Sequence, residues 1–192
     1  MKYHKIYKSM FMESYVKDLW TSLKSISKLL KQFKISFTFI GGAARNQYGY
    51  QKITEDIDIL IARKDKEKMK NLPIGFIKDI GNKKGKRFLL HDPKTNIDII
   101  YEDEISGDGV NGIKFLNPDR ITNIIKSEPF ISLKALIMYK LSSGIYGNAR
   151  YKDFDDIIEL IKRNNLSINY ANKFREDLKN KYIELWNQTK NN

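Results

Sequence analysis

Cysteine is absent from this 192-residue chain, which excludes disulfides and thiolate metal sites and leads to the expectation of a cytoplasmic protein. Histidine is scarce: His4 and His91 lie far apart and offer no His-x3-His spacing, so a zinc site is not expected. Long apolar runs are missing too. None approaches the roughly 20 residues of a membrane span. The basic N-terminus, MKYHKIYKSMFMESYVKDLW, lacks the unbroken apolar stretch of a signal peptide, so no membrane partner is expected. No internal repeat and no Pro/Gly/Ser-rich linker divides the chain, and its length fits one domain, with or without a helical extension.

Acidic residues are in deficit, 23 Asp and Glu against 35 Lys and Arg, for a net charge of +12. Such a surplus is a common footprint of nucleic-acid binding, because lysines that replace counterions on phosphates release them. A compositional bias towards Lys, Ile and Asn gives the same number. The charge by itself therefore states only that a polyanion would not be repelled. At 41% hydrophobic and 30% charged, the chain has enough apolar residues for a packed core, which argues against disorder.

Apolar residues recur at helical spacing over residues 10–34 (Phe11, Tyr15, Leu19, Leu23, Ile26, Leu30, Phe33), predicting an amphipathic helix. Ile35 to Ile40 reads as a buried strand ending in a Gly41-Gly42 turn, followed by a helix from Ala43 to Tyr48. A second strand covers Ile57 to Ala62, and a short exposed helix Lys64 to Asn71. Lys86 to Leu90 and Ile97 to Tyr101 flank a turn-forming stretch, a hairpin pattern, and Gly107 to Asn117 reads as a loop with a short strand. From Pro129 onward the pattern is helical: Ser132 to Ser142, Phe154 to Ile161 and Tyr170 to Trp186. The order helix, β-rich centre, helices predicts an α+β protein, with a β core over residues 35–117.

Asp56-Ile57-Asp58 is the most informative tripeptide. Residues i and i+2 of a strand share a face, so both carboxylates converge. Two such charges repel unless a cation lies between them, and Mg2+ or Mn2+ suits carboxylate oxygens while leaving room for phosphates. A solvated strand edge is the bland alternative, and the apolar Ile57, Ile59, Leu60 and Ile61 weigh against it. Asp98, between Ile97 and Ile99, repeats the pattern. A third acid there completes a metal site, acts as a base towards an attacking hydroxyl, or binds only water or a turn amide. At Gly41-Gly42 the absence of Cβ atoms lets backbone N–H groups approach a phosphate at a helix start.

Together these residues carry a resemblance. The string from Phe39 to Ile61, FIGGAARNQYGYQKITEDIDILI, resembles the signature of the DNA polymerase β-like nucleotidyltransferase superfamily: an apolar strand, a Gly-Gly or Gly-Ser turn, a short helix and a T-x-D-x-D strand. Gly41, Gly42, Gly49, Lys52, Thr54, Asp56 and Asp58 stand at its positions, and the NIDII stretch from Asn96 is similar to the third-carboxylate strand. Leu133–Leu141 and Arg150–Ile158 resemble the helical region of small members, in particular the abortive-infection type E toxins. There the helix lysine and an aspartate of the later motif face the nucleotide, which implies Lys140 and Asp153, with Asp156 one turn on. Helix capping and pairing with Arg150 and Lys152 is the alternative for both aspartates. The resemblance covers roughly residues 35–162. It departs at Gly-Gly-Ala, which lacks the serine hydroxyl of the Gly-Ser members, and in the short segment between the second and third strands.

The resemblance implies a small mixed β-sheet flanked by helices. Residues 1–128 would form the nucleotidyltransferase core with its N-terminal helix and residues 129–192 a C-terminal helical region, in one compact unit. It also implies transfer of an NMP from an NTP to an acceptor hydroxyl. Mg2+ (or Mn2+) would sit on Asp56, Asp58 and Asp98, and Gly41, Gly42, Arg45, Thr54, Lys140, Asp153 and Asp156 would serve the nucleotide. The basic surplus and the toxin likeness favour RNA, a tRNA 3′ end, as acceptor, with an antitoxin protein as a further partner. The competing readings are transfer to a small molecule such as an antibiotic, and a catalytically silent binding module of the same fold.

Overall fold

The computed structural model describes residues 2–72, 77–79, 86–91, 94–107, 111–148 and 150–190, the side chains of residues 2–13, 77–79 and 91 excepted. Helix α1 (Lys2–Gln32) starts well before the predicted position. It stops where Lys34 takes a left-handed φ of +50° and the Ile35 N–H reaches back to the Leu30 carbonyl at 3.0 Å. Strand β1 (Phe37–Phe39) is shorter than the apolar run that predicts it, and helix α2 (Gly41–Gln47) begins on the two glycines themselves. Strand β2 (Asp56–Ile61) follows, then two short 3-10 turns where one exposed helix is predicted. Strands β3 (Ile77–Asp79), β4 (Arg87–His91) and β5 (Lys94–Tyr101) form a meander. The hairpin loop is thus shorter than predicted, and its Asp92 and Pro93 lie outside the described residues.

A one-turn helix α3 (Pro118–Ile121) leads into strands β6 (Thr122–Ile125) and β7 (Glu128–Ile131), none of which the sequence pattern announces. The β6–β7 turn is made by Lys126 and Ser127, both at positive φ (+49° and +68°). A turn of that kind ordinarily carries Asn-Gly or Asp-Gly, so the pair Lys-Ser hides it. Strand β7 also runs through Pro129, where the character of the sequence changes. Helices α4 (Leu133–Tyr146, capped by the Ser132 side chain), α5 (Tyr151–Arg163) and α6 (Glu176–Gln188) close the chain.

The strands make one seven-stranded mixed sheet in the order β3-β4-β5-β2-β1-β7-β6, so the α+β expectation is met and the sheet extends past residue 117. Strands β2 and β5 pair in parallel at its centre, flanked by antiparallel β1 and β4. One face is apolar: Phe37, Phe39, Ile57, Ile59, Ile61, Ile97, Ile99 and Phe130 are buried on it. Helix α1 covers that face, with Trp20 edge-on to Phe130 and the Ser22 hydroxyl 2.7 Å from that of Thr95. Burying each large side chain there stabilises by about 1.5–3 kcal/mol. The other face carries Asp56, Asp58 and Asp98, and α2 and α4 pack beside it.

Candidate active site

The floor of the site follows from strand register. Parallel pairing sets Asp58 directly beside Asp98, and Asp56 beside Asn96. Alternation then puts Ile57 and Ile59 under the sheet and the carboxylates above it, where β2 and β5 leave them partly exposed. They lie at a cleft of about 1080 Å3, whose lining includes Gly41, Asp58, Asp98, Lys140 and Asp153. Phe115 and Tyr139, with ring centroids 4.4 Å apart, line the same cleft.

The glycines are required by their neighbours. Gly41 has φ of +57°, and a Cβ on it would lie 1.9 Å from Asp58 Oδ2; a Cβ on Gly42 would lie 2.5 Å from Thr54 Oγ1. The backbone of α2 is therefore pressed against the acid strand. The Gly42 amide hydrogen-bonds the Asp58 carboxylate, and the Ile40 amide donates to the Asp58 carbonyl at 3.0 Å. Burial above all, with the charges of Asp98 and Asp56, pushes the Asp58 carboxyl up to about 6 against the opposing effect of Lys140 and the Gly42 amide.

Arg87 answers that negative charge. It sits opposite Asp98 in the β4–β5 ladder, with Nε 2.9 Å from Asp98 Oδ1 and Nη2 3.2 Å from Asp56 Oδ2. Among the described residues no three carboxylate or imidazole groups gather closely enough to hold a metal ion as they stand. The donor set nonetheless fits a hard divalent cation. All three groups are carboxylates, two sit side by side, and their mutual repulsion already recruits a guanidinium.

Lys140 lies across the cleft with its Nζ 2.7 Å from both Asp153 Oδ1 and Asp156 Oδ2. Asp156 also receives Arg45 Nη1 at 3.4 Å. Two cations and two anions thus neutralise one another with little exposure, linking α2, α4 and α5. Among the described residues the two aspartates therefore pair with Lys140 and Arg45, and not with Arg150 and Lys152. The α5 N-terminus carries no side-chain cap.

Not every sequence-identified residue reaches the cleft. Arg45 is buried on the inner side of α2, where Nη2 donates to the Lys52 carbonyl at 2.7 Å and the guanidinium lies over the Tyr50 ring at 5.4 Å. It holds the loop before β2 instead of lining the site, because its partners Asp156 and Asn46 lie inward. Thr54 shapes that loop as well: its hydroxyl donates to the Asp56 carbonyl at 3.1 Å, and its amide donates to Tyr15 Oη at 2.8 Å. Gly42, Asp56 and Asp156 do not line the cleft but contact residues that do: the Gly42 amide bonds Asp58, Asp56 pairs with Arg87 and Asp156 with Lys140. Sequence reasoning missed Lys86 and Arg87, and it placed Arg150 only as a partner for aspartates. All three line the cleft. Lys86 pairs with Glu104 at 2.6 Å, whereas no acidic side chain among the described residues pairs with Arg150.

No protein-family model matches the chain, and no curated protein matches it in sequence. Solved structures do match. An antigenic nucleotidyltransferase-like protein from Paracoccidioides brasiliensis is similar over 91% of this chain and 90% of its own, with 14% identity and a TM-score of 0.58. A proposed nucleotidyltransferase from Helicobacter pylori is similar over 95% and 93%, with 16% identity and a TM-score of 0.51. The solved structure of JHP933 from Helicobacter pylori is similar over 93% of this chain and 90% of its own, with 17% identity and a TM-score of 0.53. At these identities the likeness is one of fold. The chain has the fold of nucleotidyltransferase-like proteins along most of its length.

Proposed function

We propose that the chain is a metal-dependent nucleotidyltransferase that moves an NMP from an NTP to a hydroxyl of RNA, with the 3′ end of tRNA as the preferred acceptor. The observation that carries this reading is the register of β2 on β5, which sets Asp58 beside Asp98 under a glycine-backed helix start, at the floor of a cleft. That cleft is lined by four basic side chains (Lys86, Arg87, Lys140, Arg150) and five carboxylates (Asp58, Asp98, Asp103, Glu104, Asp153). A triphosphate would be repelled there unless cations entered with it, which supports a metal requirement. Mg2+ or Mn2+ held by Asp56, Asp58 and Asp98 would screen the phosphates and polarise the α-phosphate. Arg150 holds the terminal phosphates. The acceptor oxygen bonds to the α-phosphorus as pyrophosphate leaves, and the hydroxyl proton passes to Asp98. Lys140 keeps Asp153 and the cleft wall in place.

RNA suits the net charge of +12 and the sequence Arg150-Tyr151-Lys152 at the cleft's edge, where Tyr151 is 76% exposed and offers a stacking surface for a base. Modification of tRNA would make the protein a toxin, with an antitoxin as its partner. Asp103 and Glu104 in the cleft lining favour a second reading, transfer to a cationic small molecule such as an aminoglycoside. The test is incorporation of label from each α-32P NTP into total RNA and into antibiotic acceptors. RNA labelling should fall by on the order of 100-fold or more in Asp58→Asn and Asp98→Asn. Labelling of the antibiotic alone selects the second reading. Labelling of neither acceptor, or undiminished labelling in both variants, removes the enzyme.

A further inference from the structure

Arg87 is bound where a divalent cation would have to bind. Its guanidinium uses Asp98 twice, Nε to Oδ1 at 2.9 Å and Nη2 to Oδ2 at 3.4 Å, and reaches Asp56 Oδ2 at 3.2 Å with the same Nη2. These oxygens are the lone pairs a hard cation needs, so guanidinium and metal compete for one set of ligands. The contest is winnable, because the Arg87 side chain is 46% exposed and exposed ion pairs are weak. The residue is also well placed for a second contact. Arg87 lines the cleft together with Lys86, on a strand whose cross-strand register points its side chain to the carboxylate face. Guanidinium groups take phosphate oxygens in the same forked geometry as carboxylates.

We propose that Arg87 is an internal counter-ion that occupies the acidic site when the cleft is empty and passes to the nucleotide's phosphates when a divalent cation displaces it. This rests on the nucleotidyl-transfer reading and adds to it: metal and triphosphate enter as a coupled pair. Each alone must break the Arg87 pairing or meet the uncompensated carboxylates, and together they exchange partners with it.

The coupling is measurable without turnover, by titrating Mn2+ against the protein and following free Mn2+ by electron paramagnetic resonance. Without nucleotide, Arg87→Gln should bind Mn2+ about 5–10-fold more tightly than wild type, while Asp98→Asn loses that binding. With Mn2+ present, Arg87→Gln should bind an α,β-methylene NTP at least about 10-fold more weakly. Arg87→Lys, which keeps the charge without the fork, should lie between in both titrations and serves if the glutamine variant does not fold by circular dichroism. An unchanged or weaker Mn2+ affinity in folded Arg87→Gln overturns the proposal, as does undiminished binding of the analogue. Failure of the transfer reading gives a different result: the Mn2+ titrations behave as expected and no label moves to any acceptor.

Discussion

Asp58 has to be deprotonated to hold a cation, yet its surroundings hold the proton on. Burial, together with the charges of Asp98 and Asp56, raises its pKa from 3.8 to about 6. A folded-state pKa above the unfolded value means that the native protein keeps a proton which the unfolded chain has released. Without metal, stability should therefore fall as pH rises from about 4 to about 6. Asp58→Asn should remove most of this slope and be more stable than wild type at pH 7 by about 1–3 kcal/mol in urea unfolding. Stabilisation by Mn2+ has the opposite trend, growing as pH passes about 6, and should be absent in the variant. A flat metal-free profile in wild type would contradict the burial of this carboxylate. At this scale Asp56, Asp58, Gly41 and Gly42 are legible in the sequence, because strand alternation and the lack of a Cβ are local properties. Arg87 is not. Its contact with Asp98 depends on the hairpin register, which the turn sets and the strand residues leave open.

Helices α2, α4 and α5 meet at the quartet of Arg45, Lys140, Asp153 and Asp156. The Lys140 side chain is only 11% exposed, and among the described residues it is the one cation that pairs with both aspartates. Removing one partner of a buried pair costs more than the pair contributes, since a charge is left without compensation. Lys140→Met is expected to destabilise by about 3–5 kcal/mol, read from chemical unfolding. Equal stability of variant and wild type would show that the aspartates find another partner. Among elements, α4 and α5 are legible through their 3.6-residue periodicity, whereas α6 starts at Glu176, later than the predicted Tyr170, because Ile168–Lys173 form a 3-10 helix. Strands β6 and β7 are not, since a Lys-Ser turn at positive φ and a proline inside the strand both contradict local preference. Tertiary pairing overrides them: β7 is held between β1 and β6, with Phe39 packed on Phe130.

Over the whole molecule, the +12 charge surrounds a cleft that is itself acidic in balance. Polyanion binding should therefore come from the surrounding surface and the rim, and be strongly salt-dependent. Between 50 and 200 mM salt the affinity for tRNA is expected to fall by at least about 10-fold, measured by filter binding, with Arg150→Glu weakening it at low salt. An affinity indifferent to salt would speak against RNA as the acceptor. The N-terminal helix, which has no counterpart in the sequence signature, belongs to the same architecture. It covers the apolar sheet face, and Tyr15 receives the Thr54 amide that fixes the loop before the acid strand.

The sequence by itself determined the α+β class, the acid strand and the glycine pair, because each is written in spacing along one element or in a short contiguous string, whereas Lys140 and Asp153 were pointed to only by the family resemblance. Only the tertiary structure decided which charges meet. Lys140 lies on two aspartates 13 and 16 residues away, Arg45 on one 111 residues away, and Arg87 on the carboxylates of two different strands. Such pairings depend on register and helix packing, through-space quantities to which no local spacing corresponds.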